Sequence, residues 1–529
     1  MIVRANRNYY FLEVSYMTYI AKRLIMPIVF LLFLASCSSG SGESAAENRG
    51  GDDKKLTFLF NIPSQTLDPH LDVNYTSVRA GISETLVKIS PDLKIEPWLA
   101  KDWKSEDGQT WVFTIKDNIT FQNGKKADAK AVKASLERTI RDSAAMKNAL
   151  KIKNIKADGQ TLSITTNEPF PEFPSELVHP NTSIIDVNET NFSQKPIGTG
   201  PFQVSTFESG NKIELKRYED YWDGKPKLER VTFSFNEDAN ARVMALQSKD
   251  ADIIYRPSVE NIDHIQKDPS IIVDSVPSLR VHQLLYNTEK DSLADVHLRH
   301  ALDALLDRKE IAKSILGGHA QAADGPFLAG FPFASGKVQK PSGLEAAKAE
   351  LKKAGYQMQD GKAVKNGKAL SFTLLTYQSR PELPLIAQVL ESNAKELGIS
   401  IKIQQVENID EYLSENEDWD LATYSAMTAP RGDAGYFLNT AYMPNGALNY
   451  SGIQHRTLIK WIEEFNRTID EEKRNRLAKK AAELIEKDAL NSFIVTPQNI
   501  TAYRDHVLNW ETSKSEYYML TKDLDVKTK

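Results

Sequence analysis

From residue 56 onward, apolar residues fall in two interleaved periods with no fixed repeat. Leu56-Thr57-Phe58-Leu59-Phe60 is a compact run of strand character, and Trp111-Val112-Phe113-Thr114-Ile115 alternates as a strand. Residues 161–165 predict another strand, introduced by an Asp158-Gly159 turn. Val132, Leu136 and Ile140 share one face of a helix over 127–141, and a second helix over 343–355 ends at Gly355. Residues 372–377 read as a strand, 383–397 as an amphipathic helix stopped by Gly398, and 399–403 as a strand again. That strand–helix–strand unit implies an α/β lobe with parallel pairing. Residues 458–487 predict one or two helices with polar faces.

The N-terminus has a different pattern. Lys22 and Arg23 precede an apolar stretch over 25–34, which ends in Leu34-Ala35-Ser36-Cys37. A basic segment, a short apolar segment and small residues make a secretory signal. With a Cys directly after the small residues, the pattern resembles a bacterial lipoprotein box, cut before Cys37 and acylated there. The apolar run is about half the ~20 residues that a membrane-spanning helix needs. The signal has ordinary proportions when counted from Met17, which is the expected translation start. Residues 38–55, rich in Gly, Ser and charge, read as a flexible tether.

Composition adds limits. The 529 residues are 41% hydrophobic and 26% charged, with a net charge of −5, so nothing argues for nucleic acid. Cys37 is the only cysteine, which excludes a disulfide and a catalytic thiol in the acylated chain. No GxSxG, HExxH or supported SxxK motif argues for a hydrolase. Nine histidines are present without HxxxH spacing, and the pair His297 and His300 is a thin metal signal.

An ordered set of segments carries a resemblance. It runs through Leu67-Asp68-Pro69-His70, Pro97-Trp98-Leu99-Ala100, Asp107-Gly108-Gln109-Thr110-Trp111, Phe121-Gln122-Asn123-Gly124, Pro196-Ile197-Gly198-Thr199-Gly200-Pro201-Phe202, Asp220-Tyr221-Trp222-Asp223-Gly224 and Leu298-Arg299-His300-Ala301-Leu302. Together these resemble the peptide/nickel class of extracytoplasmic solute-binding proteins of ABC importers. The resemblance implies an α/β, two-lobed fold of the periplasmic-binding-protein type, with an extra subdomain in the first lobe. It divides the chain into signal 1–36, lipidated tether 37–55, lobe I 56–278, lobe II 279–497 and a return to lobe I over 498–529. Lobe crossings are expected near 277–283 and 493–498. It also implies a monomer, lipid-anchored on the extracellular face of the membrane, that hands ligand to permease and ATPase subunits.

Within the class, Ala429-Pro430-Arg431-Gly432-Asp433-Ala434-Gly435-Tyr436-Phe437 is similar to the ligand loop, most closely in nickel-binding members of Gram-positive type. Positions that carry chelator-binding arginines in Gram-negative nickel binders fall near Met146 and Asn181, and their histidine position near Asn445. This chain departs at all three. A nickel ion would therefore arrive already wrapped, with no cofactor or metal site of the protein's own. A chelate such as nickel with two histidines supplies its own nitrogens and needs partners for its carboxylates, to which arginine's planar fork is suited. Arg431, Arg242 and Arg280, with Arg380 behind them, are the candidates. Tyr424 and Tyr436 could stack on imidazole or pack in the core. Asp433 matches the residue that clamps a peptide amine in peptide-binding relatives, so an oligopeptide receptor is the alternative reading.

Overall fold

The computed structural model describes residues 54–336 and 340–528, so Cys37 and the tether before residue 54 lie outside the described residues. Among the described residues one twelve-stranded mixed sheet dominates. Its principal strands are β1 (Lys55–Phe60), β2 (Phe202–Glu208), β3 (Lys212–Arg217), β4 (Arg230–Phe235), β5 (Ile253–Tyr255), β6 (Ile271–Pro277), β7 (Arg280–Tyr286), β8 (Ser371–Tyr377), β9 (Ser400–Val406), β10 (Leu421–Met427) and β11 (Asn491–Arg504). The order is β9-β8-β10-β7-β11-β5-β1-β4-β3-β2, with β6 and Ala320–Ala322 also paired to β11.

β11 joins the two lobes. Its first half pairs antiparallel with β7 of lobe II, and its second half with β5 and β6 of lobe I. The chain crosses again at Ser278 and Leu279, between β6 and β7. There the Ser278 N–H and hydroxyl both donate to the Pro497 carbonyl, at 3.1 and 2.6 Å. The two crossings are thereby tied at one point.

The helices that frame the site are α1 (Ala129–Asp142), α2 (Phe173–Glu176), α3 (Glu382–Glu396), α4 (Gly435–Tyr442), α5 (Arg456–Arg467) and α6 (Glu471–Lys487). Local chemistry starts two of them: Asp128 accepts from Ala131 N–H at 2.9 Å and Asp470 from Lys473 N–H at 2.6 Å. The predicted strand–helix–strand unit is β8–α3–β9, and β8 and β9 pair in parallel from Ser371 with Ser400. The 458–487 segment is two helices, α5 and α6.

Lobe I carries an antiparallel four-stranded sheet, ordered Ala100–Lys104, Thr110–Ile115, Thr161–Thr166, Ile152–Asp158, against which α1 packs. The Gly198-Thr199-Gly200 motif has a steric cause. A Cβ at Gly198 would lie 2.2 Å from the Ile82 carbonyl oxygen, and one at Gly200 2.3 Å from that of Gly81. The close approach lets Gly200 and Phe202 N–H groups reach the carbonyls of Ile82 and Gly81 at 3.1 and 3.0 Å. One buried apolar cluster runs from this subdomain (Phe113, Leu136, Phe173) into lobe II (Phe437, Phe465, Phe493), so the lobes are closed on each other. A second cluster, with Phe58, Val231, Phe233 and Ile253, is the core of lobe I.

Candidate functional site

The loop after β10 brings Arg431 to the lobe interface. Gly432 adopts φ +75° and its N–H donates to the Ala429 carbonyl at 3.1 Å, closing a turn that favours glycine. Arg431, 7% exposed, donates from Nη1 to Glu176 Oε2 at the end of α2 in lobe I. Its guanidinium lies 4.7 Å from the ring centre of Tyr436, in the first turn of α4. Burial opposes the charge on Arg431, but Glu176 overrides it and raises the pKa. Arg431 Nε is buried and has no hydrogen-bond partner among the described residues.

An aromatic wall from lobe I stands beside this guanidinium. Tyr75 meets His179 edge-on at 5.3 Å and Tyr517 at 5.8 Å. His179 Nδ1 accepts the Asn181 N–H at 3.1 Å. A backbone N–H can only donate, so the ring is the tautomer protonated on Nε2. Burial, and then Arg431, drive the His179 pKa well below its ordinary value, which keeps the ring neutral. His179 can therefore donate into the site but offers no lone pair there to a metal.

Three further ion pairs cross the interface, one of them from Arg256 of lobe I to Glu382 at the start of α3, at 3.9 Å. Arg474 of α6 donates from Nη2 to Glu172 Oε2 at 3.1 Å and to Asp433 Oδ2 at 3.0 Å, and lies 4.4 Å above the Phe465 ring. Asp433 Oδ1 accepts the Gly435 N–H at 2.5 Å. Both oxygens of the expected amine clamp are thus engaged. At the hinge, Arg280 donates from Nε to Glu516 Oε1 at 3.1 Å. Burial works against the Glu516 charge, yet Arg280, Arg256 and Arg79 hold its carboxyl below the usual range.

The remaining candidates are placed differently. Arg242 is held within lobe I by backbone carbonyls: Nε donates to Tyr255 (3.0 Å), Nη1 to Asn236 (2.7 Å) and Glu237 (2.9 Å), Nη2 to Arg256 (2.5 Å). Burial and the neighbouring Arg256 lower its pKa to about 10. Its role there is to fix the 255–256 segment, where Arg256 has φ +52°. Tyr424 lies inside lobe II, its hydroxyl donating to Asp410 at 2.6 Å. Arg380 precedes α3, and its buried Nη1 has no partner among the described residues. His70 is engaged by the Ser183 carbonyl (2.9 Å) and Arg138 (2.7 Å), and His297 by Glu350 (2.8 Å). Asn181 donates to the Pro69 carbonyl at 2.6 Å, and Met146 is buried. Among the described residues, no group of three or more His, Cys, Asp or Glu is placed to hold a metal.

Glu172, Glu176, Arg474, Glu516 and the Tyr75–Tyr517 pair were not visible as site residues in the sequence. Only Arg474 carried a local signal, because it falls in phase with the buried Leu477, Ala478, Ala481 and Ile485 of α6.

Comparison with known proteins bears on this geometry. Residues 94–449 match the model for bacterial extracellular solute-binding proteins, family 5. The nickel-binding protein NikA of Staphylococcus aureus is 35% identical over 94% of this chain and 98% of its own length. A crystal structure of a nickel ABC transporter from Bacillus halodurans is 52% identical, covers 89% of this chain and 100% of its own, and has a TM-score of 0.80. The structure of S. aureus NikA in complex with Ni(L-His)2 is 34% identical, covers 90% and 100%, and has a TM-score of 0.78.

Proposed function

The chain belongs to the bacterial extracellular solute-binding proteins of family 5, and from that membership we propose that it captures a nickel chelate, such as nickel with two histidines, for an ABC importer. It is a binding component and not an enzyme. The observation that carries the proposal is Arg431: a buried guanidinium, stacked on Tyr436 and held at one corner by Glu176, with Nε left for an incoming carboxylate oxygen. The relative with Ni(L-His)2 bound supports the choice of ligand. Nearby, His179 is restricted to donating, which suits recognition of a chelate through its organic shell.

Ligand binds in the open state and the lobes close about the point where Ser278 meets Pro497. Contacts made only in the closed state supply the bias toward closure. Arg280 and Arg380 are assigned as secondary contacts for the chelate, and Tyr436 as its stacking surface. The engagement of Asp433 by Arg474 and Gly435 weighs against an oligopeptide ligand, whose amine would need that carboxylate. We assign anchoring to acylated Cys37, with the chain on the outer face of the cell membrane.

Isothermal titration tests the ligand. Nickel alone and histidine alone are expected to give no binding heat, and nickel with two equivalents of histidine to give saturable heat. Binding of bare nickel, or silence in all three titrations, would refute the assignment. Metabolic labelling with a palmitate analogue tests the anchor; label retained in a Cys37→Ala variant would refute it.

A further inference from the structure

Three of the ion pairs that bridge the lobes share one polarity, while a fourth, from Arg256 of lobe I to Glu382 of lobe II at 3.9 Å, runs the other way. In those three, each arginine (Arg280, Arg431, Arg474) comes from lobe II, and each glutamate it meets (Glu516, Glu176, Glu172) comes from lobe I. None of these guanidiniums is an uncompensated positive charge. Building on the chelate reading above, we propose that Glu176 determines the charge class of the ligand, so that the site accepts an electrically neutral amino-acid chelate and rejects an anionic polycarboxylate chelate.

The argument rests on what Glu176 does to Arg431. Glu176 takes Nη1, while Nε stays without a partner, so the guanidinium keeps a donor for one ligand carboxylate oxygen while it holds the glutamate. Glu176 is itself 7% exposed. A second negative charge brought beside a carboxylate this deeply buried is repelled with little screening by water. In a metal complex of two amino acids, the cation cancels the two carboxylates and no excess charge faces Glu176. The amine and imidazole N–H groups of such a complex are also donors that a carboxylate can accept, since it has more lone pairs than Arg431 uses. A polycarboxylate chelator has no N–H groups for Glu176 and carries surplus charge. The Arg431–Glu176 pair therefore orients the ligand as well: carboxylates toward the guanidinium from lobe II, N–H donors toward the carboxylate from lobe I.

The test measures the affinity of the purified protein and its Glu176→Gln variant for two probes, nickel–histidine at 1:2 and nickel–citrate at 1:1. The wild type is expected to prefer the histidine complex by at least ~tenfold, and the variant to shift that ratio toward citrate by at least ~tenfold, the size of one removed like-charge contact. A Glu176→Asp variant, which keeps the charge, should keep the preference. An equal loss for both probes in Glu176→Gln would mean that the residue only latches the lobes, and would overturn the proposal. A wild type that binds citrate as well as histidine overturns it without the variant, while leaving the chelate reading in place. A wild type that binds neither probe removes the chelate reading and this proposal together.

Discussion

Replacing Arg431 with alanine removes two contacts, the ion pair to Glu176 and the stack on Tyr436, together with the unpartnered Nε assigned to the ligand. Truncating one side of a buried, hydrogen-bonded charge pair costs about 2–5 kcal/mol of binding, which is about 30- to 4,000-fold in affinity. Arg431 lies in the upper part of that range because it is only 7% exposed. Loss of the stack adds about 1 kcal/mol in the closed state. Folding itself should survive, because opening the lobes returns Glu176 to water instead of leaving it buried without a partner. Ligand-free Arg431→Ala is therefore expected to be more open, with a larger radius of gyration by small-angle X-ray scattering and a thermal midpoint near the wild type.

Titration with nickel and two equivalents of histidine measures the affinity. Arg431→Lys separates charge from shape: it keeps the cation but loses the planar fork, so its affinity should fall between the wild type and Arg431→Ala. An Arg431→Ala protein within threefold of wild-type affinity would refute the assignment of the residue. A lysine variant equal to the wild type would show that charge alone matters and would remove the argument from the unpartnered Nε.

Arg242→Ala should lower stability by about 3 kcal/mol in urea unfolding, because buried carbonyls lose their donors, while costing far less affinity than Arg431→Ala; the reverse ranking would return Arg242 to the site. His179→Asn keeps an acceptor for Asn181 N–H and loses the Nε2 donor, so affinity should drop about tenfold with the nickel X-ray absorption spectrum unchanged; a lost imidazole signal would make His179 a metal ligand after all. Glu84 is fully buried beneath Trp222 Nε1 (2.9 Å), Thr199 Oγ1 (2.8 Å) and the Tyr221 hydroxyl, and burial raises its pKa from 4.5 to about 7. A raised carboxyl pKa favours folding most below the unfolded value, and that contribution declines as pH rises to the folded value. The stability of the wild type relative to Glu84→Gln should therefore fall by up to about 3 kcal/mol between pH 4.5 and 7.5; a difference that does not change with pH contradicts this.

What the sequence could reveal follows from range. Local chemistry was readable: the β8–α3–β9 unit from its alternating period, the buried face of α1 from Val132 and Leu136, and the turn that carries Arg431 from Pro430 and Gly432. The partners of the site were not readable, because they lie far along the chain. Arg431 and Glu176 are 255 positions apart, Arg280 and Glu516 236, and Arg474 and Glu172 302. No periodicity links a charge on one lobe to a charge on the other; only closure of the fold does. Arg242 shows the complementary difficulty. Its sequence context, the first turn of a helix between Ala241 and Val243, is the same whether the guanidinium meets a ligand or four backbone carbonyls. Arg474 is the instructive exception. Lys473 and Arg476 beside it are solvated, but Arg474 alone holds the spacing of the buried residues of α6. An arginine on the apolar face of a helix must find an anion where that face is buried. Applied to α6, that rule calls for an anion against its apolar face, and Asp433 of the loop after β10 supplies it, with the Glu172 carboxyl of lobe I beside it. The loop proposed to meet the ligand is therefore braced against lobe I through Arg474, so a change in α6 should alter lobe closure without touching the ligand.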